Sequence, residues 1–476
     1  MPELSPRRRM LVLAICCMSL FIVGVDVTIV NIALPAISKD FHAPLSGLQW
    51  IMDAYTLVLA SFLMLAGSTA DRIGRRRIFQ TGLVLFTLGS LMCSLSPSLG
   101  WLVAARILQA VGGSMLNPVA LSIITNTFVE PRERARAIGV WGAVFGLSMA
   151  LGPVLGGVLV TSIGWRGIFW VNVPVGVVAV ILAGLFVPES KAAHPRRFDP
   201  VGQTLIIVLL ASATYAIIEG PHRGWSSPLI VTLFAVAAAA VLVLVRYEGR
   251  REVPLLDPRF FRSTPFAGAT VMAVCAFVAI GGFLFLNTLY LQDVRGFSTL
   301  HAGLLTLPMA AANVVASPLS GRLVASHGAR MPLLGASAFM LAAGLLMTTF
   351  TPTTSLYVVS VGYVLTGLAS GLVNSPLTNA AVSGMPRTQA GVAAAVTSTS
   401  RQVGSSLGVA VFGSILASGG PFTDASHICW WLVVGCAVVI GSLSIITTGP
   451  RALASAEHTA AVFAPGAAAT AETAVR

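Results

Sequence analysis

The 476 residues are 56% hydrophobic and only 10% charged, and the mean hydropathy is +0.87. A water-soluble domain carries about 25% charged residues to face solvent, so most of this surface must face something other than water. The formal charge of +12 does not mark a nucleic-acid binder, because the basic residues are spread over many connectors and form no single patch.

Apolar stretches of roughly 18–25 residues recur along the chain, the length that crosses ~30 Å of hydrocarbon as an α-helix. Such unbroken runs exclude a barrel, whose strands alternate over ~10 residues. Spans are predicted near 10–34, 48–70, 78–96, 100–122, 136–160, 167–187, 201–218, 228–245, 266–290, 300–320, 332–350, 354–376, 390–416 and 428–448. Arg7 to Arg9 followed by apolar residues look like the start of a signal peptide. The run is too long and lacks a small-residue cleavage site, so it should remain as the first span.

Only Lys39, Arg166, Arg223 and Arg295 fall in the connectors on one side of this map, and only Arg106 and Arg401 fall within spans. Every other Lys and Arg, among them Lys191, Arg196, Arg197, Arg387 and Arg476, falls on the side of the termini. The positive-inside rule then puts both termini in the cytoplasm and requires an even number of helices. Cys16, Cys17, Cys93, Cys275, Cys429 and Cys436 lie in or beside apolar spans and read as free thiols, so no metal is expected.

Three blocks follow: six spans over 1–187, two further spans with their connectors over 188–264, and six spans over 265–448. A tail rich in Ala and Thr, 449–476, is expected to be disordered. Gly67-x3-Asp71-Arg72-x-Gly74-Arg75-Arg76 after the second span is echoed by Gly321-x3-Ala325-Ser326-x-Gly328-Ala329-Arg330 after the tenth, without the Asp-Arg pair. Duplicated halves around a central axis are the architecture of alternating-access carriers. In the first copy, glycines permit close backbone approach and the Asp and Arg side chains can form exchangeable ion pairs. Gly67, Asp71, Arg72, Gly74 and Arg75 therefore read as a conformational latch, where a loop that only set topology would need no such order.

Within the fourth span, Arg106, Gln109, Gly113 and Asn117 fall on one helix face. An Arg at mid-membrane costs at least ~2.5 kcal/mol and must face a partner or a cavity. Asp26 is the most clearly buried carboxylate and Asp53 the second. Desolvation and nearby cations act oppositely on a carboxyl group, so such sites can be tuned to load and release a proton. Gly142, Gly146 and Pro153 share a face of the fifth span, with Gly152, Gly156 and Gly157 beside them. Small residues there allow backbone-distance packing, and Pro with Gly permits a kink.

These motifs resemble those of the major facilitator superfamily, and specifically its fourteen-helix drug:proton antiporters. The loop Gly67 to Arg77 is similar to the family signature between helices two and three. Asp26-x-Thr28-x-x-Asn31 to Pro35, Arg106-x-x-Gln109 to Gly113, Gly152-Pro153-x-x-Gly156-Gly157, Trp165 to Gly176 and Ser400-Arg401-Gln402 also match. Ala110 and Gly167 depart from the pattern, where the family has Gly and often Trp.

The resemblance implies a major facilitator fold: an all-α polytopic protein with two six-helix bundles and two additional central helices. It implies that Arg106 helps relay or gate the proton, for which Asp26 and Asp53 are the candidate carboxylates read from the spans themselves. Asn31, Gln109, Asn117 and Arg401 would line the substrate cavity, and the Gly-Pro segment would seal against leak and favour antiport. The expected activity is export of lipophilic or cationic drugs and antibiotics, driven by protons without a cofactor. The expected setting is a monomer in a cell membrane, the bacterial inner membrane.

An ATP-driven pump is excluded on the residues, since neither Lys39 nor Lys191 lies in a phosphate-cradling loop. An enzyme would need clustered ligands or a positioned nucleophile, and the histidines are scattered. An exporter of one endogenous metabolite or lipid, or a sensor that moves nothing, would keep the same fold.

Overall fold

The computed structural model describes residues 5–192, 199–251, 254, 257–383, 385 and 389–463. The sequence features at Arg196, Arg197, Arg387 and Arg476, and the last part of the tail, lie outside them. No strand occurs among the described residues. The helices in chain order are α1 (Pro6–Phe41), α2 (Leu45–Ile73), α3 (Arg75–Ser94), α4 (Leu99–Thr127) and α5 (Pro131–Ile163). Then come α6 (Gly167–Phe186), α7 (Pro200–Arg223), α8 (Pro228–Glu248), α9 (Thr264–Val294) and α10 (Thr299–His327). The last are α11 (Arg330–Met347), α12 (Leu356–Ser383), α13 (Ala390–Ala417), α14 (Phe422–Thr447) and α15 (Pro450–Val462). With no water in hydrocarbon, a helix is the one open-ended segment that satisfies its own backbone. Ser5, Ser98, Ser227 and Ser298 accept first-turn N–H groups where chain enters a helix.

Thirteen of these helices are apolar and long enough to cross a membrane. The expected thirteenth span forms as α13, but it is too polar to count among them. Ser, Thr, Arg401 and Gln402 interrupt its first half, and packing against α9, α2 and α7 supplies the environment that lipid would not.

Two apolar cores, one holding Phe79, Phe86 and Ile124 and the other Phe283, Tyr363 and Trp430, organise α1–α6 and α9–α14 respectively. The two additional helices are central in the chain but peripheral in space. α7 packs on α2 and α13, with Trp50 Nε1 donating to Glu219 at 3.3 Å, and α8 packs mainly on α7. The α8 side chains Leu242, Val243 and Val245 are more than half exposed, which in a bilayer means facing lipid.

The two bundles pack closely at one end and are more open at the other, where Met64 of α2 still packs on the second bundle. At the end away from the termini, a third core joins Ile29, Leu48 and Trp165 to Phe285, Leu289 and Val409. There α5 lies on α10 so closely that a Cβ on Gly157 would fall 2.8 Å from Leu300 Cα. Towards the basic, terminal end, the same face of α5 carries Gly142 and Gly146, each with nothing within 4 Å. Gly67 of α2 and Gly321 of α10 also look into open space. The repeat is visible here too: Gly74 (φ 133°) and Gly328 (φ 74°) end α2 and α10 at matching places, in backbone that side chains disfavour.

The tail departs from expectation. Residues 450–462 form α15, whose Ser455 accepts the Thr264 N–H at 3.0 Å, and Phe463 packs 5.1 Å from Phe260. Ala-rich sequence with Pro at the first turn favours helix, and the start of α9 gives it a surface to cover.

Candidate functional site

Polar side chains converge at the middle of the first bundle from four helices. Gly89 of α3 sits against the Gln109 backbone, where a Cβ would fall 2.6 Å from its Cα. That approach brings Ser90 of α3 to Gln109 of α4, whose Nε2 donates to Ser90 Oγ at 2.7 Å. The same Nε2 donates to Asp26 Oδ1 at 2.7 Å, and Asn172 Nδ2 of α6 donates to that oxygen at 3.2 Å. Arg106 Nη1 donates to Asp26 Oδ2 at 2.5 Å and to Gln109 Oε1 at 2.6 Å. Both charged side chains are fully buried.

Two further contacts aim the guanidinium. Its Nε donates to the Ile51 carbonyl at 3.4 Å, and its plane lies 4.0 Å from the Tyr55 ring centroid. Arg106 Nη2 and the Tyr55 hydroxyl have no hydrogen-bond partner, so the network keeps polar capacity for another species. Burying an ion pair this deeply is poor stabilisation, because desolvation offsets the attraction.

Asp53 is separate from this network. It is fully buried on α2, turned to Ser406 of α13, and accepts from Thr56 Oγ1 at 3.4 Å. No cation lies within ion-pair distance of it among the described residues.

The residues expected at a substrate cavity divide. Gln109 has both amide atoms engaged in the charge network. Asn31 bonds to its own helix at the Val27 carbonyl, 3.0 Å, and leaves Oδ1 without a partner, as does Asn117. Arg401 donates to Thr378 Oγ1, lies 6.0 Å from the Phe277 ring, and leaves Nε unpartnered. No carboxylate pairs with it among the described residues.

Across the break between α2 and α3, Asp71 pairs with Arg75 at 2.8 Å, and Arg72 points outward. The loop is clasped by a segment the motif did not announce. Glu189 accepts from the Arg76 N–H at 3.1 Å and lies 3.7 Å from Arg77 Nε, and the Ser190 carbonyl accepts from the Arg75 N–H at 2.9 Å. A Cβ on Gly74 would strike the Glu189 carboxylate, so that glycine is required by space and by φ. On α5, Gly152 and Gly156 receive Thr28 and Ile29 of α1, while Gly157 and Pro153 meet α10.

Sequence reasoning missed Ser90, Tyr55 and Glu189. Asn172 stood inside a family-like motif, which was its one available signal. Among the described residues no cluster of three or more His, Cys, Asp or Glu could hold a metal.

The sequence profile of the Major Facilitator Superfamily matches residues 16–409. The chain belongs to this superfamily. Among its superfamily relatives, the multidrug resistance protein Stp of Mycobacterium tuberculosis is 41% identical over 412 residues, 87% of this chain and 76% of Stp. The methylenomycin A resistance protein of Streptomyces coelicolor is 36% identical, and the match covers 88% of each chain. In fold, the chain is similar to the crystal structure of a bacterial homologue of the human lysosomal transporter Spinster, with a TM-score of 0.64 at 18% identity. That alignment covers 97% of this chain and 100% of the other. The protein is thus a multi-pass major facilitator transporter, related to multidrug and antibiotic efflux pumps.

Proposed function

We propose that this transporter exports small lipophilic or cationic organic compounds, drugs or antibiotics, in exchange for protons by alternating access. The observation that carries the reading is the Asp26–Arg106 pair at 2.5 Å, fully buried within an apolar bundle. A charge pair so costly to bury at mid-membrane points to a role in transport and not in stability. Asp53, on the seam between the bundles, is a second carboxylate that a proton can reach as the seam opens. The more open basic end, set against a packed far end, is one of the two states that alternating access requires. Asn31, Asn117 and Arg401 carry buried polar atoms without partners and would meet the compound. The glycines at 67, 142 and 146 would close against the second bundle in the other state, with the Asp71–Arg75 loop as latch. The basic end is the cytoplasmic face, by its Lys and Arg, in a cell membrane of the bacterial inner type. The transporter acts as a monomer, and the proton gradient replaces any cofactor.

The test is substrate-induced proton release in inverted membrane vesicles energised by a pH gradient, over lipophilic cations and neutral antibiotics. Dissipation by particular compounds, lost in Asp26→Asn, is the expected result. Silence across the panel from folded protein would overturn the reading in favour of a single endogenous substrate or a sensor.

A further inference from the structure

Where the bundles meet at the far end, two side-chain amides donate hydrogen bonds from one bundle to the other. Gln49, in the second turn of α2, donates through Nε2 to the Ala410 carbonyl of α13 at 2.9 Å and, more weakly, to the Val409 carbonyl at 3.4 Å. Gln292, in the last turn of α9, donates through Nε2 to the Ile32 carbonyl of α1 at 2.8 Å. One amide belongs to each bundle, and each reaches a helix backbone of the other. The geometry around them is built for reach. Gly413 leaves the space that the Gln49 amide fills, and Gln292 Oε1 accepts from Thr299 Oγ1 at 3.0 Å, which orients its NH2 towards α1. A five-residue π turn, Tyr290–Val294, ends α9 and carries Gln292; such turns re-aim side chains at the end of a helix.

The carbonyls being addressed sit inside helices and already accept from their own chains. Separating the bundles therefore strands no carbonyl, and water can take the freed amide donors at once. Gln49 Oε1 has no partner even now. These bonds are thus strong enough to bias a two-state seam and cheap enough to break in every cycle.

We infer that Gln49 and Gln292 are positioning residues of the transport cycle, paired clasps that hold the far end shut. The inference rests on the alternating-access reading. Its test is the distance between nitroxides at Gly100→Cys, in open space at the start of α4, and Tyr357→Cys, 80% exposed at the start of α12. Both lie at the far end, one on each bundle, and the six native cysteines are replaced by alanine. Protein in lipid nanodiscs should show a short and a long separation. Gln49→Met and Gln292→Met, which keep volume but remove the donor, should each raise the long-to-short ratio about fivefold, as one net hydrogen bond of ordinary strength requires. The double variant should raise it further. Gln80→Met is the control: Gln80 Nε2 donates to the Val180 carbonyl at 3.3 Å inside one bundle, and its loss should leave the ratio unchanged. Unchanged ratios in folded Gln49→Met and Gln292→Met, as judged by unfolding temperature, would overturn the clasps. A single invariant separation in the parent at every pH would instead overturn alternating access.

Discussion

Removing the charge of Asp26 tests the buried network most directly. In Asp26→Asn the Arg106 guanidinium stays fully buried with no counter-charge, since no other carboxylate contacts it. The donors Arg106 Nη1, Gln109 Nε2 and Asn172 Nδ2, now shared over two oxygens, would compete for one, beside a new NH2 group. Breaking a buried pair from one side costs ~3–5 kcal/mol. Arg106→Met should cost a similar amount, by leaving the carboxylate alone. The double variant Asp26→Asn/Arg106→Met carries no orphan charge and should recover about 2 kcal/mol relative to either single change. Reversible unfolding in detergent measures the stabilities, and vesicle assays measure coupled export. All three variants should fail to export against a proton gradient, while exchange of labelled for unlabelled compound should persist in Asp26→Asn. If the single changes cost under 1 kcal/mol, or the double is no more stable than the worse single, the pair is not the electrostatic unit described here. Normal uphill export by Asp26→Asn would refute its coupling role.

Other substitutions probe the seam, the latch and the tail. Gly157→Val would drive α5 from the Leu300 backbone of α10 and should cost about 1–3 kcal/mol. Gly146→Val meets open space and should change stability by no more than ~0.5 kcal/mol, yet slow transport if the basic end must close. Unfolding midpoints read beside transport rates separate the two effects. Gly74→Ala combines φ 133° with a clash on Glu189 and should destabilise by about 1–3 kcal/mol, an effect that Glu189→Ala should partly relieve. Ending the chain at Gly449 uncovers Phe260, now 3% exposed. The thermal midpoint should fall by the equivalent of about 2 kcal/mol, and an unchanged midpoint would make α15 dispensable.

The helices were legible because lipid leaves the sequence little choice: length, hydropathy and the one-sided Lys and Arg place nearly every span. The Gly67/Gly74 and Gly321/Gly328 echo was equally legible, and both pairs occupy matching positions in space. Asp26 and Arg106 stood out because charge in a span must be used. That they pair with each other, through helices 80 residues apart in the chain, depends on how α1 packs against α4, which no local pattern encodes. Ser90 and Asn172 were hidden for the same reason, since a serine in an apolar helix commonly bonds its own backbone. The motif offered several Arg partners for Asp71, and the break at Gly74 between α2 and α3 is what turns Arg75 back to it. Composition misled at the tail, where α15 folds because a partner surface exists and not because its sequence is apolar.

The distribution of polar groups also explains why rigidity and motion can coexist. The charge network lies wholly inside the first bundle, between helices that need not separate. An ion pair placed across a seam would lose several kcal/mol each time the seam opened, until water arrived to solvate both ends. The far-end seam instead uses neutral amides on backbone carbonyls, worth about 1 kcal/mol apiece, over apolar contacts such as Leu48 with Val409. Two carboxylates are exceptions: Asp293, beside Gln292, interacts with Lys39 of α1, and Asp53 lies one turn from Gln49 on the same face of α2, facing α13. On the proposed mechanism the charge of Asp53 would change the balance of that seam, because an ionised carboxylate gains from meeting water and a neutral one does not. A seam held mainly by weak neutral bonds, with Asp53 and Asp293 as titratable groups beside them, would on the proposed mechanism be tipped by protonation. Closed by salt bridges, it could not be.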